Sequence, residues 1–334
     1  MVKDLVKKTA YSSGLLPLFH NKQNRKALTV VLFHRVLPTN DIRWQQADKE
    51  WSVSDVFFRD CLNFFKKHYS LVSLNDIQEC VDQDLPLPQR PLLISFDDGW
   101  RDNLEYALPM LQEFNIRPVL FVTTDAIGQN ILSWQEALYS AWRINALTTD
   151  IVNQLYSLLN QSPQSISSED NIRKLINDLQ HAGDEVRLVL KAIAKDIDLS
   201  GQRQMLNIEE LKALSEGFDL GTHGIRHEPL TQSPDPLAEL KLARQQLADM
   251  TALPLPLSMS FPHGRSNEEL IQQAKDAGYR QIFTGVECHN SLSKDTHTVF
   301  GRFNINQTML ENEQGRLLPE LLAIHLFRRP VRSL

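Results

Sequence analysis

The stretch that most constrains the fold runs from Leu92 to Asn103, where a short apolar run ends in Asp97, Asp98 and Gly99. The run has the length and composition of a buried strand, and the glycine supplies a turn. Successive side chains of an extended chain point to opposite sides, so the two carboxylates are expected to face different neighbours. One can hold a metal while the other stays free for proton transfer. An isolated Asp-Asp-Gly equally suits a plain surface turn.

Two further polar clusters follow apolar runs in the same way. His223-Gly-Ile-Arg-His227 comes after the predicted strand 218–221, and Pro262-His-Gly264 after the predicted strand 257–261. Strands alternate with helical patterns along the chain, which indicates parallel βαβ units and an α/β fold. In such folds the clusters lie at the carboxyl ends of the strands, where barrel active sites are built.

Composition excludes several classes of protein. The chain has 334 residues and a formal net charge of -6, which gives no electrostatic case for nucleic-acid binding. Three widely spaced cysteines without a Cys-x-x-Cys argue against a disulfide framework and a thiolate zinc site, and all three are expected in the core. The sequence contains no phosphate-binding loop, dinucleotide fingerprint or Gly-x-Ser-x-Gly elbow.

Residues 1–27 form a basic arm, with six Lys or Arg residues against the single acid Asp4. Apolar residues at helical spacing are followed by a small apolar cluster at positions 15–19. These features fit either a membrane-surface anchor or a solvated arm packed on the domain. No secretory signal or membrane span is recognised, so we expect a cytoplasmic protein, with peripheral contact at the inner membrane face as one option.

The histidine pair supplies two imidazoles four residues apart. On a helical turn His223 and His227 share a face and reach one ion. With a carboxylate from Asp97-Asp98 they make an Asp-His-His set, which is typical of a catalytic zinc site with an open position. Cobalt, nickel and iron also suit these ligands. A surface pair with no metal remains the alternative interpretation.

Taken in order, Ser95-Phe-Asp-Asp-Gly99, His223-x-x-x-His227 and Phe261-Pro-His-Gly264 resemble the metal-dependent polysaccharide deacetylases of the NodB-homology family, carbohydrate esterase family 4. The resemblance implies an α/β fold, a distorted (β/α) barrel of the polysaccharide deacetylase type, with a helical insertion after the second barrel strand of the core motif region. The chain is accordingly divided into a basic arm over 1–27, a strand and helix extension over 28–90, and a deacetylase domain over 91–334. The almost wholly helical and polar pattern predicts the insertion at about 130–205.

The resemblance also implies roles for individual residues. Asp97 matches the catalytic base, and Asp98, His223 and His227 match the ligands of one divalent ion, with zinc expected. The backbone N–H of His263 matches the donor to the oxyanion, at a position where the family usually has tyrosine.

Further residues are expected to support the site. Arg302 is expected to brace Asp97 and keep it ionised. Trp100 and Arg265 are proposed to contact substrate, and Trp134 is a further aromatic residue that suits a sugar site or the core. The general acid is unassigned.

The histidines considered for that proton donor are His34 and, late in the chain, His289, His297 and His325; His34 and His325 are the two retained.

The predicted activity is metal-dependent removal of an N-acetyl or O-acetyl group from a carbohydrate, in cell-surface polysaccharide or exopolysaccharide metabolism. One alternative is a deacetylase or deformylase of a lipid-linked sugar at the cytoplasmic membrane face. Another is a non-catalytic carbohydrate-binding barrel. The partner is an acetylated carbohydrate rather than nucleic acid, and the oligomeric state stays open.

Overall fold

A computed structural model describes residues 2–83, 85–129, 132–196, 203–291, 299–332 and 334. The strands are β1 (Thr29–Phe33), β2 (Arg35–Leu37), β3 (Ser52–Ser54), β4 (Ser70–Leu71), β5 (Pro91–Asp98), β6 (Val119–Val122), β7 (Asp219–Thr222), β8 (Ser258–Ser260), β9 (Gln281–Phe283), β10 (His289–Asn290), β11 (Val299–Phe300), β12 (Phe303–Asn304) and β13 (Val331–Arg332).

The helices alternate with these strands, as the sequence pattern predicts. They are α1 (Val2–Ser12), α2 (Leu15–Gln23), α3 (Ile42–Gln46), α4 (Asp55–His68), α5 (Leu74–Gln83), α6 (Leu108–Glu113), α7 (Trp134–Arg143), α8 (Thr149–Leu158), α9 (Glu169–Gln180), α10 (Asp184–Asp196), α11 (Ile208–Ser215), α12 (Pro236–Thr251), α13 (Glu268–Asp276), α14 (Gln307–Leu310) and α15 (Pro319–Phe327).

The main sheet is parallel throughout, in the order β11-β9-β8-β7-β6-β5-β1-β12, with β4 beside the start of β5. Its two edges, β11 and β12, are separated along the chain only by Gly301 and Arg302. Because two neighbouring segments pair with opposite edges, the sheet must curl until those edges nearly meet. This confirms the predicted distorted (β/α) barrel, which has one seam between β11 and β12.

The alternation of side chains along β5 divides the core. Leu92, Ile94 and Phe96 pack outward beneath the helices, in a cluster with α4, α11 and α15. Leu93 points into the barrel, where it meets apolar side chains from β1, β6, β9 and β11. Because side chains alternate along a strand, Asp97 also points inward, four residues after Leu93. It lies at the carboxyl end of β5, near one end of the barrel interior.

Helices α7 to α10 follow β6, where the insertion was predicted. They have a separate apolar core that includes Leu138, Leu155, Leu175 and Leu190. Trp100, from the loop after β5, belongs to the same core, so the insertion packs directly above the carboxyl end of the sheet.

Three helix starts differ in how they are capped. Asn207 and Glu210 form a reciprocal capping box at the start of α11, as their spacing in the sequence predicts. At α13 the cap is Asn267, although Ser266-x-x-Glu269 has the spacing of a capping box. Asp102 does not cap the following helix, which starts with a π-helical turn at 103–107, because its carboxylate accepts hydrogen bonds from Arg35 Nε (2.9 Å) and Val36 N (3.0 Å).

The cysteine prediction is partly wrong. Cys61 and Cys288 are buried, but Cys80 on α5 is only half-buried, since it lies toward the rim of that amphipathic helix. None of the helices within the described ranges is long and apolar enough to cross a bilayer.

The Arg35–Asp102 ion pair is fully buried and holds the segment after β1 against the loop after β5. Arg35 also lies over the ring of Trp100, 4.1 Å from its centroid. Burial raises the pKa of Asp102 even beside the guanidinium of Arg35. The pair is therefore sensitive to loss of either partner.

We predict that Asp102→Ala lowers the free energy of unfolding by about 3–5 kcal/mol, because it leaves the Arg35 guanidinium buried without a counter-charge. The control is Glu113→Ala, which removes the exposed Arg59–Glu113 pair and should change stability far less. Urea denaturation measures both. Similar losses in the two variants would contradict a structural role for the buried pair.

Candidate active site

Asp97 ends the inward row of β5 and meets Arg302 in a two-pronged ion pair. Arg302 Nη1 donates to Asp97 Oδ1 (2.8 Å) and Nη2 to Oδ2 (2.9 Å), and both side chains are buried. Burial alone would raise the pKa of Asp97, but the charge and hydrogen bonds of Arg302, with His223, bring it well below its usual range. Asp97 is therefore ionised, and the predicted contact with Arg302 is present.

Asp98 faces a different set of neighbours because the backbone turns sharply there, with φ of 81°. Its Oδ2 accepts a hydrogen bond from Trp100 Nε1 at 2.9 Å. Its Oδ1 is buried and has no hydrogen-bond partner. Burial opposes ionisation of Asp98, yet the neighbouring histidines, led by His227, lower its pKa overall. One oxygen of this carboxylate is thus fixed and the other is left for a ligand.

His223 follows β7 and is oriented by Ser260, whose carbonyl oxygen lies 3.0 Å from Nδ1. This contact assigns the proton to Nδ1 and leaves the Nε2 lone pair facing Asp98. The prediction that the histidine pair shares a helical turn is wrong. Residues 223–227 form a bent loop in which Gly224 (φ 72°) and His227 (φ 55°) adopt left-handed backbone conformations. The loop, rather than a helix face, brings the centroids of the two imidazole rings to within 5.2 Å of each other.

The side chains of Asp98, His223 and His227 lie close enough together to bind one metal ion. His223 Nε2 lies 3.6 Å and His227 Nε2 3.3 Å from Asp98 Oδ1, and one ligand atom from each residue falls within 4.8 Å of the other two. Burial lowers the pKa of His227, which favours the neutral form that binds metal. The unpartnered Asp98 Oδ1 and the two imidazoles suit a divalent ion of the zinc type.

His263 and Arg265 lie on the loop after β8. His263 has a left-handed backbone (φ 56°), and its Nε2 is 3.1 Å from the carbonyl oxygen of His227. Arg265 is half-buried, and among the described residues its guanidinium has no ion-pair partner. Both residues line the cavity described next.

Two cavities meet at the cluster, and both include Asp98, His227 and Glu136 in their walls. The larger, about 480 Å³, is predominantly polar in its side chains and contains Asp97, His34, Arg265 and Arg302. The smaller, about 270 Å³, lies beneath the insertion and includes Trp100, Leu132, Trp134 and Met205. Both cavities therefore lie between the barrel and the insertion.

Trp100 and Trp134 are each only 3% exposed and belong to the core of the insertion, while still forming part of the smaller cavity's wall. Their main role is packing, and Trp100 also orients Asp98.

The histidines considered as proton donors lie in different parts of the structure. His34 lines the larger cavity, and its Nδ1 is buried without a partner. His325 Nε2 instead contacts the Asn304 carbonyl (3.2 Å) and lies 3.8 Å from Glu287. His289 is fully buried between Thr29 and Leu326, at the far end of the barrel. His297 lies outside the described residues.

Glu136 is a site residue that sequence reasoning missed. It lies in the first turn of α7, and its backbone N–H is capped by Ser133. Ser133-x-x-Glu136 has the spacing of a capping box, so the pattern indicates a structural role. In the structure the Glu136 carboxyl has no hydrogen bond to any described residue, and it lines both cavities. Removal from water, with Asp48 and Asp98 nearby, raises the pKa of Glu136 to about 8.

A parallel barrel with a carboxylate–imidazole cluster and a buried ionised aspartate at the carboxyl ends of its strands suits metal-assisted hydrolysis. The sequence matches the polysaccharide deacetylase family over residues 84–188 and 201–282, more than half of the chain. The chain therefore belongs to the polysaccharide deacetylase family and is a sugar deacetylase, which sets aside the non-catalytic barrel. No curated protein sequence matches it significantly.

Solved structures share the fold. The deacetylase PplD of Streptococcus pyogenes superposes with a TM-score of 0.57 at 15% identity, covering 90% of this chain and 99% of that one. IcaB from Ammonifex degensii gives a TM-score of 0.57 at 14% identity over 91% and 98% of the two chains. A polysaccharide deacetylase from Bacillus cereus gives 0.56 at 14% identity over 90% and 69%.

We predict that the wild-type protein, reconstituted with zinc, binds about one ion per chain, and that Asp98→Ala and His223→Ala abolish this binding because each removes one of three ligands. Asp97→Asn is the matched control and should retain the ion, since Asp97 pairs with Arg302. Elemental analysis after dialysis measures the stoichiometry, with circular dichroism confirming that each variant is folded. A folded wild type that takes up no divalent ion would contradict the assignment.

Proposed function

We propose that this chain hydrolyses the N-acetyl or O-acetyl group of a carbohydrate in cell-surface polysaccharide or exopolysaccharide metabolism, with one divalent ion, zinc, as cofactor. The observation that carries the proposal is the convergence of Asp98, His223 and His227 within 4.8 Å, beside the ionised Asp97. Family membership supports the reaction class, and the polar cavity supports a hydrophilic sugar substrate.

In this proposal the three ligand residues hold the ion. Bound there, it would supply Lewis acidity toward the acyl carbonyl and make a water molecule more acidic. Asp97 accepts the proton of the attacking water. The Arg302 contacts orient the Asp97 carboxylate and keep it ionised, so that it is available as a base at neutral pH.

The oxyanion formed on attack needs preorganised donors. We assign one donor to the backbone N–H of His263, as the family resemblance suggests. A backbone donor tolerates the change of side chain from the family's usual tyrosine. Arg265 in the cavity wall has no ion-pair partner among the described residues, and we propose that it binds a hydroxyl or anionic group of the substrate.

We infer that Glu136, rather than His34 or His325, protonates the leaving amine. His325 is absent from the cavity wall formed by described residues, whereas His34 and Glu136 both line it. Burial lowers the pKa of His34, so that its imidazole is neutral at pH 7. The raised pKa of Glu136 leaves its carboxyl protonated at pH 7, as a general acid requires.

The deacetylase or deformylase of a lipid-linked sugar remains a second candidate. The basic arm of residues 1–27 favours it, since that arm can hold the protein near anionic lipid. The same residues of the active site would carry out that reaction.

Purified metal-loaded protein should release acetate from an N-acetylated oligosaccharide. We predict that Asp97→Asn lowers kcat by about 10²–10⁴, because the base is lost while its shape is kept. Glu287→Gln, which changes another carboxylate of the same cavity wall, should stay within a few-fold of wild type. Acetate release that is equal in wild type and Asp97→Asn would contradict the role of Asp97.

The pH dependence tests the proton donor. Because donation needs the protonated carboxyl, kcat should fall as the pH rises through the raised pKa of Glu136. We predict that Glu136→Gln lowers kcat by about 10²–10⁴ and removes this alkaline limb. His34→Gln should keep the limb. If the limb disappears in His34→Gln and persists in Glu136→Gln, His34 is the donor and the assignment is wrong.

A further inference from the structure

The basic arm packs on the end of the barrel opposite the active site. Helices α1 and α2 both contact α15. Asn24 Nδ2 donates to the Phe327 carbonyl (3.0 Å), and the ring of His20 stacks on Phe327 at 4.1 Å. The Arg25 carbonyl accepts a hydrogen bond from Arg90, the residue directly before β5. These contacts fix α2 where β1 and β5 begin, whereas the site lies where they end.

Helix α2 packs Leu16 on the core, yet it also buries a polar side chain and exposes several apolar ones. It buries His20, and Asn24 after its end, completely against the protein. It leaves three large apolar side chains exposed at helical spacing, Leu15 (64%), Leu18 (64%) and Phe19 (47%). With the exposed Lys22, these residues occupy positions i, i+3, i+4 and i+7, and we call this set the α2 face.

Positive charge surrounds the α2 face. Lys8, Arg25 and Lys26 are exposed along with Lys22, in a protein whose overall net charge is -6. Val6 of the neighbouring helix α1 is also 61% exposed. An apolar stripe with a basic rim is the pattern of a helix that lies in a membrane interface, with its apolar face among the acyl chains and its cations at anionic headgroups.

We propose that the α2 face is a docking surface for an anionic lipid bilayer. The charge pattern argues against a second copy of the chain as the occupant. A two-fold dimer through this surface would place two identical cationic rims against each other. A bilayer containing acidic lipid has an apolar interior for the exposed apolar side chains and anionic headgroups for the surrounding lysines and arginine.

Docking through this face determines where the active site is. The eight-residue strand β5 spans about 26 Å at roughly 3.3 Å per residue, and its first residue adjoins the arm while its last is Asp98. The docked protein would hold its cavities on the side facing away from the bilayer. This orientation suits a glycan that extends away from the membrane. It weighs against the lipid-linked sugar of the second candidate, which the charge of the arm alone favours.

The test uses the full-length protein and sedimentation with vesicles of phosphatidylcholine alone or mixed with phosphatidylserine. Wild type should bind the mixed vesicles and lose binding in high salt. Leu18→Ser/Phe19→Ser should weaken binding by at least about tenfold. Lys22→Gln/Lys26→Gln should weaken it roughly twenty- to thirtyfold, at about fivefold per lysine near the surface.

The matched control is Leu253→Ser/Leu255→Ser, which changes two comparably exposed leucines after α12 and should leave vesicle binding unchanged. None of these substitutions touches the site, so acetate release from a soluble oligosaccharide should be unaffected, and it reports on the proposed function separately. The proposal is overturned if wild type ignores anionic vesicles, or if the control and the α2 variants lose binding equally. A dimer that dissociates in Leu18→Ser/Phe19→Ser without vesicle binding would identify a second copy as the occupant.

Discussion

The buried pair between Asp97 and Arg302 is the interaction on which both barrel and site depend. Arg302 lies in the two-residue link between β11 and β12, so the side chain that closes the seam is also the one that holds the base. Besides its contacts with Asp97 of β5, Arg302 donates a hydrogen bond to Ser260 Oγ of β8 (2.6 Å). Arg302 therefore links the seam to two other strands. A buried charge is costly without its partner. Closing the seam therefore brings the arginine to its counter-charge, and the contact in turn keeps Asp97 ionised.

Adjacent residues acquire different chemistry from backbone geometry alone. Strand alternation sends Asp97 into the barrel toward Arg302, while the left-handed turn at Asp98 directs that carboxylate toward the histidines. Trp100 then occupies one oxygen of Asp98 and leaves the other unpartnered. The insertion covers this arrangement and contributes Glu136, whose enclosure favours the protonated acid. Asp97 and Glu136, the proposed base and acid, are thereby kept in opposite protonation states within one site.

Much of this organisation could be predicted from local sequence. The βαβ rhythm, the insertion after the second core strand and the placement of Asp97, Asp98, His223 and His227 at one edge follow from apolar runs ending in polar motifs. The helical turn for the histidine pair was wrong, because spacing alone does not distinguish a helix from a bent loop with Gly224. The presence of Glu136 in the site could not be predicted, because Ser133-x-x-Glu136 has the same spacing as a helix cap. Its place in the cavity wall depends on how the insertion packs. The exposure of apolar side chains on α2 also depends on tertiary contacts, because the opposite side of the helix packs on Phe327.

The most direct test of the central claim is a titration of zinc into chelator-treated apoprotein while acetate release from an N-acetylated oligosaccharide is followed. The account predicts that activity is absent without metal, rises in proportion to added zinc and reaches its plateau at about one equivalent per chain. Full activity of the metal-free protein would contradict the proposed mechanism, as would a plateau that requires two equivalents.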